Sequence, residues 1–277
     1  MEKKQIYAIV AVAVVVIAAI GAAVVLMNNG GGSKKIETID DLNGATIGTI
    51  KGYTGDTFVL GDIENGNLSK DTKVLSYTTG AQAIESLKSG HVDCVIIDEQ
   101  PAKKFIELNS GLKILDSNYV EESYALAVKK GNTALLDKIN DAIAKLREDG
   151  TLKAIEDYYY EGKGTAYVKK DVDRSAGTLK MLTNAYFPPY ESFKDGGDTG
   201  TIVGFDVDLM QAICDILGME LKCESIEFVT LITTLDGSKE SDNYVIAAGM
   251  TVTDERAKQV DFSNPYTKSI QVVITKA

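Results

Sequence analysis

Hydrophobic and polar positions divide the chain into one long apolar run and a much longer stretch in which short apolar runs alternate with helical spacing. Ile6 to Met27 is 22 residues without a charge, which as a helix spans about 33 Å, the depth of a bilayer's hydrocarbon core. A signal peptide needs an apolar region of only roughly 7–15 residues before its cleavage site. Residues 6–27 are therefore expected to be a transmembrane anchor, with a cleaved signal near Ala19 and Gly21 as the other reading. Residues 1–5 form a short tail, and residues 28–35, with Asn28-Asn29-Gly30-Gly31-Gly32-Ser33, read as a flexible linker. From Ala45 onward the pattern becomes α/β. Ala45 to Ile50, Val74 to Tyr77 and Val92 to Ile97 read as strands, Gly80 to Leu87 and Ala102 to Leu108 as helices, the latter with Pro101 in its first turn. Tyr124 to Val128 is a further β-type run. Leu135, Leu136, Ile139, Ile143 and Leu146 keep helical spacing, with Asn132 as N-cap and Gly150 as the stop. Residues 161–177 have no sustained apolar period and read as a connector. Beyond them come strands at Leu179 to Leu182, Leu221 to Ser225, Tyr244 to Ala248 and Ile270 to Thr275, with helices at Asp206 to Leu217 and Phe228 to Leu235.

Composition narrows the possibilities. A 277-residue chain with 44% hydrophobic residues can bury one large core or two modest ones. A net charge of −11 argues against a nucleic-acid surface, which needs clustered Lys and Arg. Cys94, Cys214 and Cys223 lack paired metal-ligand spacing and His91 is the lone histidine, sitting in a Ser-Gly-His-Val-Asp turn, so neither a metal nor a cofactor is expected. Cys214 and Cys223 could pair outside a cell or remain buried thiols.

The chemistry is concentrated near the end. Gly-Phe-Asp-Val-Asp-Leu at 204 to 209, Ala-Gly-Met-Thr-Val-Thr-Asp-Glu-Arg at 248 to 256 and Asp-Phe-Ser-Asn-Pro-Tyr at 261 to 266 resemble the first lobe of the type II, family 3 solute-binding proteins, the polar amino-acid receptors of ABC importers. The family's second-lobe motifs come first here, at 36 to 128. The resemblance thus implies a two-lobed α/β periplasmic-binding-protein fold with a hinge, circularly permuted and following an N-terminal transmembrane helix. Lobe 2 is expected at 36–127 and lobe 1 at 128–270, with 161–177 joining the ancestral ends and 271–277 as a C-terminal hinge strand.

An α-amino acid carries a carboxylate and an ammonium on one carbon, so its receptor needs a forked cation, an acceptor and a wall for the side chain. The resemblance implies that Arg256 grips the carboxylate bidentately, aided by Thr251 and by N–H groups at Thr54 and Gly55. Asp98, ending a strand, would accept the ammonium beside the Gly249 carbonyl. Phe187 would stack on the ligand with Phe228 on the opposite wall, and Lys51 and Asn184 would read its side chain. Several relatives carry Asp where Asn184 stands, so a polar uncharged or acidic ligand is favoured over a basic one. Each residue has a duller reading: Arg256 as a solvated helix residue, Asp98 as a helix N-cap, both phenylalanines as core. The chain departs from the family at one point, since Tyr158-Tyr159-Tyr160-Glu161-Gly162 stands where the family commonly ends its last helix in Lys-Trp-Phe-Gly. The expected protein is a monomeric, extracytoplasmic receptor, membrane-tethered or secreted if the segment is cleaved, that serves an ABC permease and ATPase. A ligand-presenting sensor subunit is the alternative. An enzyme resembling cyclohexadienyl dehydratases is less favoured, because no catalytic His, nucleophile elbow or carboxylate pair stands out.

Overall fold

The computed structural model describes residues 34–277, so the anchor expected at 6–27 lies outside the described residues. Among those described, no helix is long and apolar enough to cross a membrane. Two five-stranded sheets organise residues 36–277.

The first sheet holds β1 (Thr46–Ile50), β2 (Lys73–Tyr77), β3 (Cys94–Asp98), β4 (Leu112–Tyr124) and a strand from the far end of the chain, Thr267–Lys276, in the order β2, β1, β3, Thr267–Lys276, β4. β1 runs parallel to both neighbours, while Thr267–Lys276 lies antiparallel between β3 and β4. Helices α1 (Thr54–Asn65), α2 (Gly80–Ser89) and α3 (Glu99–Leu108) link the strands. The second sheet contains β5 (Ala127–Lys129), β6 (Thr178–Thr183), and strands Glu220–Ser225, Tyr244–Ile246 and Val260–Phe262. Its main helices are α4 (Thr133–Glu148), α5 (Thr151–Glu161) and α6 (Phe205–Leu217). Asn132 caps α4 by accepting the Leu135 N–H, and Gly218 ends α6 in the left-handed conformation. Gly150 does more than stop α4. With φ near +79° it turns the chain directly into α5 as that helix's N-cap.

Residues 271–277 were expected as a hinge strand, and the expected lobe boundary at 270 was placed to match; both are corrected. Gln271 and Val272 pair with Asp98 and Ile97 on one side and with Val120 and Asn118 on the other. Val272, Val273 and Ile274 are buried, so apolar burial on both faces fixes this segment in the middle of a sheet. The chain instead passes between the lobes at Tyr124 to Ala127 and at Ser263 to Tyr266. These crossings hold one another: Ser263 N–H bonds the Leu126 carbonyl at 2.8 Å and Tyr266 N–H the Tyr124 carbonyl at 2.9 Å.

The connector, Gly162 to Gly177, has no helix or strand but is anchored along α6. Asp215 accepts bonds from Arg174 at 2.6 Å, the Tyr167 hydroxyl at 2.8 Å and the Lys170 N–H at 2.8 Å. Cys214 and Cys223 do not pair with each other, and Cys223 donates to the Met181 sulfur at 3.7 Å.

Candidate ligand-binding cleft

Strand ends and helix starts from both sheets meet between the lobes. Thr251 follows the short strand Tyr244–Ile246 and forms an isolated bridge with Tyr124 at the crossing. Thr253 caps the one-turn helix α7 (Asp254–Ala257) by accepting the Arg256 N–H. From that turn the Arg256 side chain folds back into the cleft rather than out to water. Its two terminal nitrogens donate to the Thr251 carbonyl at 2.9 Å and to Gly52 of the opposite lobe at 3.1 Å, and its guanidinium lies 5.3 Å from the Phe228 ring centre. Burial lowers its pKa, opposed by the nearby Glu122 and Asp98 carboxylates; a guanidinium stays charged regardless.

Facing it are the carboxylates of the first sheet. Asp98 stands at the N-cap position of α3, yet its side chain makes no capping bond. It turns inward to accept from the Tyr124 hydroxyl and from Ser269 at 3.3 Å. Burial, then the adjacent Glu122 charge, pushes the Asp98 carboxyl well above the ordinary range. Glu122 accepts from Thr251 Oγ1 at 2.8 Å and from Gln271 Nε2 at 2.6 Å, and Gln271 also donates to Thr54 Oγ1 at 3.2 Å. The Thr54 and Thr251 hydroxyls meet across the lobes at 3.3 Å. Thr54 and Gly55 open the 12-residue α1, where the first N–H groups lack intrahelical partners and favour an anion.

The remaining predicted residues fall in two groups. Phe187, Phe228 and Asn184 are buried in the cleft. Gly249 has φ near +51° and donates its N–H to Asp206 at 2.8 Å; a Cβ there would lie 2.8 Å from the Phe187 ring, so no side chain fits. Lys51 differs, with an exposed side chain and its backbone N–H bonded to Tyr77. The sequence reading missed Tyr53, Glu122 and Gln271. A polar residue inside Ile270-Gln271-Val272-Val273-Ile274 was a usable signal for Gln271. Glu122 was hidden in what looked like an exposed charge run, Glu121-Glu122, and Tyr53 in a turn.

The arrangement can hold a small zwitterion: a half-buried guanidinium and a helix start for its carboxylate, a buried acid for its ammonium, aromatic faces beside both. A family model, bacterial extracellular solute-binding proteins, family 3, matches residues 48–162 and 179–277. The arginine-binding extracellular protein ArtP of Bacillus subtilis (strain 168) is 41% identical over 98 residues, 35% of this chain and 36% of that protein. The L-cystine-binding protein TcyJ of Escherichia coli (strain K12) is 27% identical over 126 residues, 45% of each chain. Among solved structures, the arginine-bound form of a truncated ArgBP from T. maritima is 43% identical, covering 34% of this chain and 41% of that one with a TM-score of 0.29. The chain spans about a third to a half of the length of the curated relatives it matches.

Proposed function

Because the chain belongs to the bacterial extracellular solute-binding proteins of family 3, we propose that it is an extracytoplasmic receptor that closes its two lobes on an L-amino acid and delivers it to an ABC importer. The observation that carries this reading is the half-buried Arg256 of one lobe, bonded to Gly52 of the other and standing across the cleft from Asp98. A zwitterion bridging Arg256 and Thr251 to Asp98 would favour the closed state through its differential affinity for it. Relatives are named for arginine, cystine and glutamine. In this chain Asn184 is the polar group at the cleft's side-chain end, while the acidic preference rested on Lys51, whose side chain is exposed. A polar uncharged amino acid is therefore the favoured ligand.

Two further parts of the reading are proposals of the same kind. Residues 6–27 would tether the domain to the membrane. The lobes would be circularly permuted, second lobe first; in support, the family model leaves 163–178 unmatched, almost the segment expected to join the ancestral ends, and the curated matches cover only part of each chain.

The test is thermal melting and calorimetry of the full chain against the twenty amino acids. One or a few should raise the melting temperature, by the equivalent of about 2.7 kcal/mol at a hundred times the dissociation constant. Arg256→Ala should weaken binding by about 2–5 kcal/mol because it leaves a buried carboxylate without its partner. A flat panel, or an Arg256→Ala protein that binds as well as the parent, would sink the proposal.

A further inference from the structure

On the reading just proposed, which this inference rests on, the ligand's side chain belongs between Phe187 and Phe228. That space is already occupied. The Tyr53 ring, contributed by the opposite lobe, stacks on Phe228 at 3.9 Å between ring centres and tilts against Phe187 at 5.0 Å. Its hydroxyl donates to Asn184 Oδ1 at 3.3 Å, and the residue is only 6% exposed. The Asn184 amide, the group placed to read the ligand's side chain, thus already carries a phenol on its oxygen and the Ile226 carbonyl on its nitrogen, at 2.8 Å.

Tyr53 is held as a wall. Its N–H bonds the Ile50 carbonyl at 3.1 Å, and its own carbonyl accepts the Asp56 and Thr57 N–H groups at 3.1 and 3.2 Å, fixing it as the N-cap of α1. The preceding Gly52 donates its N–H to Asp56 at 3.2 Å and receives Arg256 on its carbonyl. Gly52 has φ near +79°, and a Cβ there would lie 2.6 Å from the Val229 side chain, so any side chain at this turn would be strained. The segment carrying Tyr53 is pinned to its own lobe, to its own helix and to the arginine of the other lobe.

The two lobes also share a cavity to which Tyr53 does not contribute. It has a volume of about 570 Å³ and is lined by Gln82 and Phe105 of one lobe and by Ala185, Tyr186, Phe193 and Glu227 of the other. Ala185 and Glu227 are the chain neighbours of Asn184 and Phe228, the two groups that hold the Tyr53 hydroxyl and ring. Glu227 is also close enough for its charge to add to the burial that raises the Tyr53 hydroxyl pKa.

We infer that Tyr53 is a specificity-determining residue: by filling the place between Phe187 and Phe228 and occupying the Asn184 oxygen, it restricts the ligand to a small polar side chain of the size of serine, threonine or asparagine. Long cationic and aromatic side chains are excluded because the space they need is the space Tyr53 fills. Removing the ring vacates that place and admits the longer side chains without touching Arg256 or Asp98.

The experiment compares the full chain with Tyr53→Ala and Tyr53→Phe by ligand-induced melting shifts and calorimetry against serine, asparagine, glutamine, arginine, lysine and phenylalanine. The full chain and Tyr53→Phe should respond to the small polar ligands. Tyr53→Ala should gain at least tenfold in affinity for glutamine, arginine or lysine, since even one misfitted methylene in a closed pocket is worth roughly tenfold or more. If Tyr53→Ala melts too early to assay, Tyr53→Leu shortens the same wall while keeping apolar bulk. An unaltered chain that takes arginine or phenylalanine as tightly as the truncated variant overturns this role of Tyr53 and leaves the receptor reading intact. A flat panel for every protein overturns both.

Discussion

Asp206 has no exposed surface, yet it carries a carboxylate under the cleft. It accepts the Gly249 N–H at 2.8 Å and the Tyr266 hydroxyl at 2.8 and 2.9 Å, and so holds in place the turn that leads to Thr251. Burial raises its pKa to about 6, against the pull of the Gly249 and Tyr266 bonds. Glu191 lies beside it, buried, with no N–H or hydroxyl reaching either of its oxygens among the described residues, and it is pushed well above the ordinary range by burial and then by the Asp206 charge. A proton on Glu191 aimed at Asp206 is the arrangement that pairs both. The sign for stability follows from the raised values. Between the ordinary carboxylate pKa and about 6 the folded chain holds a proton at Asp206 that the unfolded chain has lost, so this share of stability should fall as pH climbs through that window and level off above it, while the more strongly raised Glu191 and Asp98 extend the fall to higher pH. Asp206 alone contributes on the order of 3 kcal/mol to that fall. Urea midpoints at pH 4.5 and 7.5 should differ, and Asp206→Asn should reduce the difference; an unchanged slope would remove Asp206 from the account. Asp215 and Asp261 are held low by their partners, so their contributions vary in more acid solution, outside this window.

At the scale of elements, the connector shows how a segment without regular structure is fixed. Burial would raise the Asp215 carboxyl, but Arg174 first, then the Lys170 N–H, Tyr167 and Gln211, hold it below the usual range. The Asp215 side chain is 2% exposed and that of Arg174 15%. Arg174→Ala should therefore lower stability by stranding the Asp215 carboxylate, less than for a fully buried pair because Arg174 keeps some water. The measurement is the chemical denaturation midpoint, and an Arg174→Met, Asp215→Leu double variant closer to the parent than Arg174→Ala alone would confirm that the stranded carboxylate is the cost. This segment also marks what the sequence could reveal. Its lack of apolar period was legible, as were α4 with its Asn132 cap and α6 with Gly218, because those signals are local. The 13-residue strand Leu112–Tyr124 was not. It alternates irregularly, with Lys113, Asp116, Glu121 and Glu122 among its residues, and its pairing with Thr267–Lys276 joins positions some 150 residues apart in the chain. Thr251 and Arg256 were readable as one motif and Asp98 as the end of a strand, and these three, proposed for the ligand, meet at one cleft. Tyr53 was not readable as a cleft residue, because its place between Phe187 and Phe228 exists only once two distant lobes close on each other.

For the whole molecule, the proposed order of lobes makes a definite claim about what closure depends on. The lobe that carries Arg256 is continuous from Ala125 to Tyr266, whereas the other is completed by the distant strand Thr267–Lys276. Communication between them runs through the two mutually bonded crossings and through the cleft itself, where one apolar cluster includes Tyr53 and Ile97 of one lobe with Phe187 and Phe228 of the other. None of these contacts depends on which peptide bond joins the lobes elsewhere. The chain could therefore be reopened between Lys163 and Thr165, leaving Tyr167, Lys170 and Arg174 on α6, while Ala277 is joined to Ile36 by a flexible polar linker. Ile36 and Val273 pack in the same cluster, so the linker stays within one lobe, and its closure entropy changes only slowly with length, about 0.6 kcal/mol per doubling. The rearranged protein should melt within a few degrees of the parent and respond to the same amino acid. A rearranged protein that folds but no longer binds would show that closure depends on the chain's order near the crossings, in addition to the lobe-to-lobe contacts; one that fails to fold would refute the proposed permutation as a neutral reordering of the same two lobes.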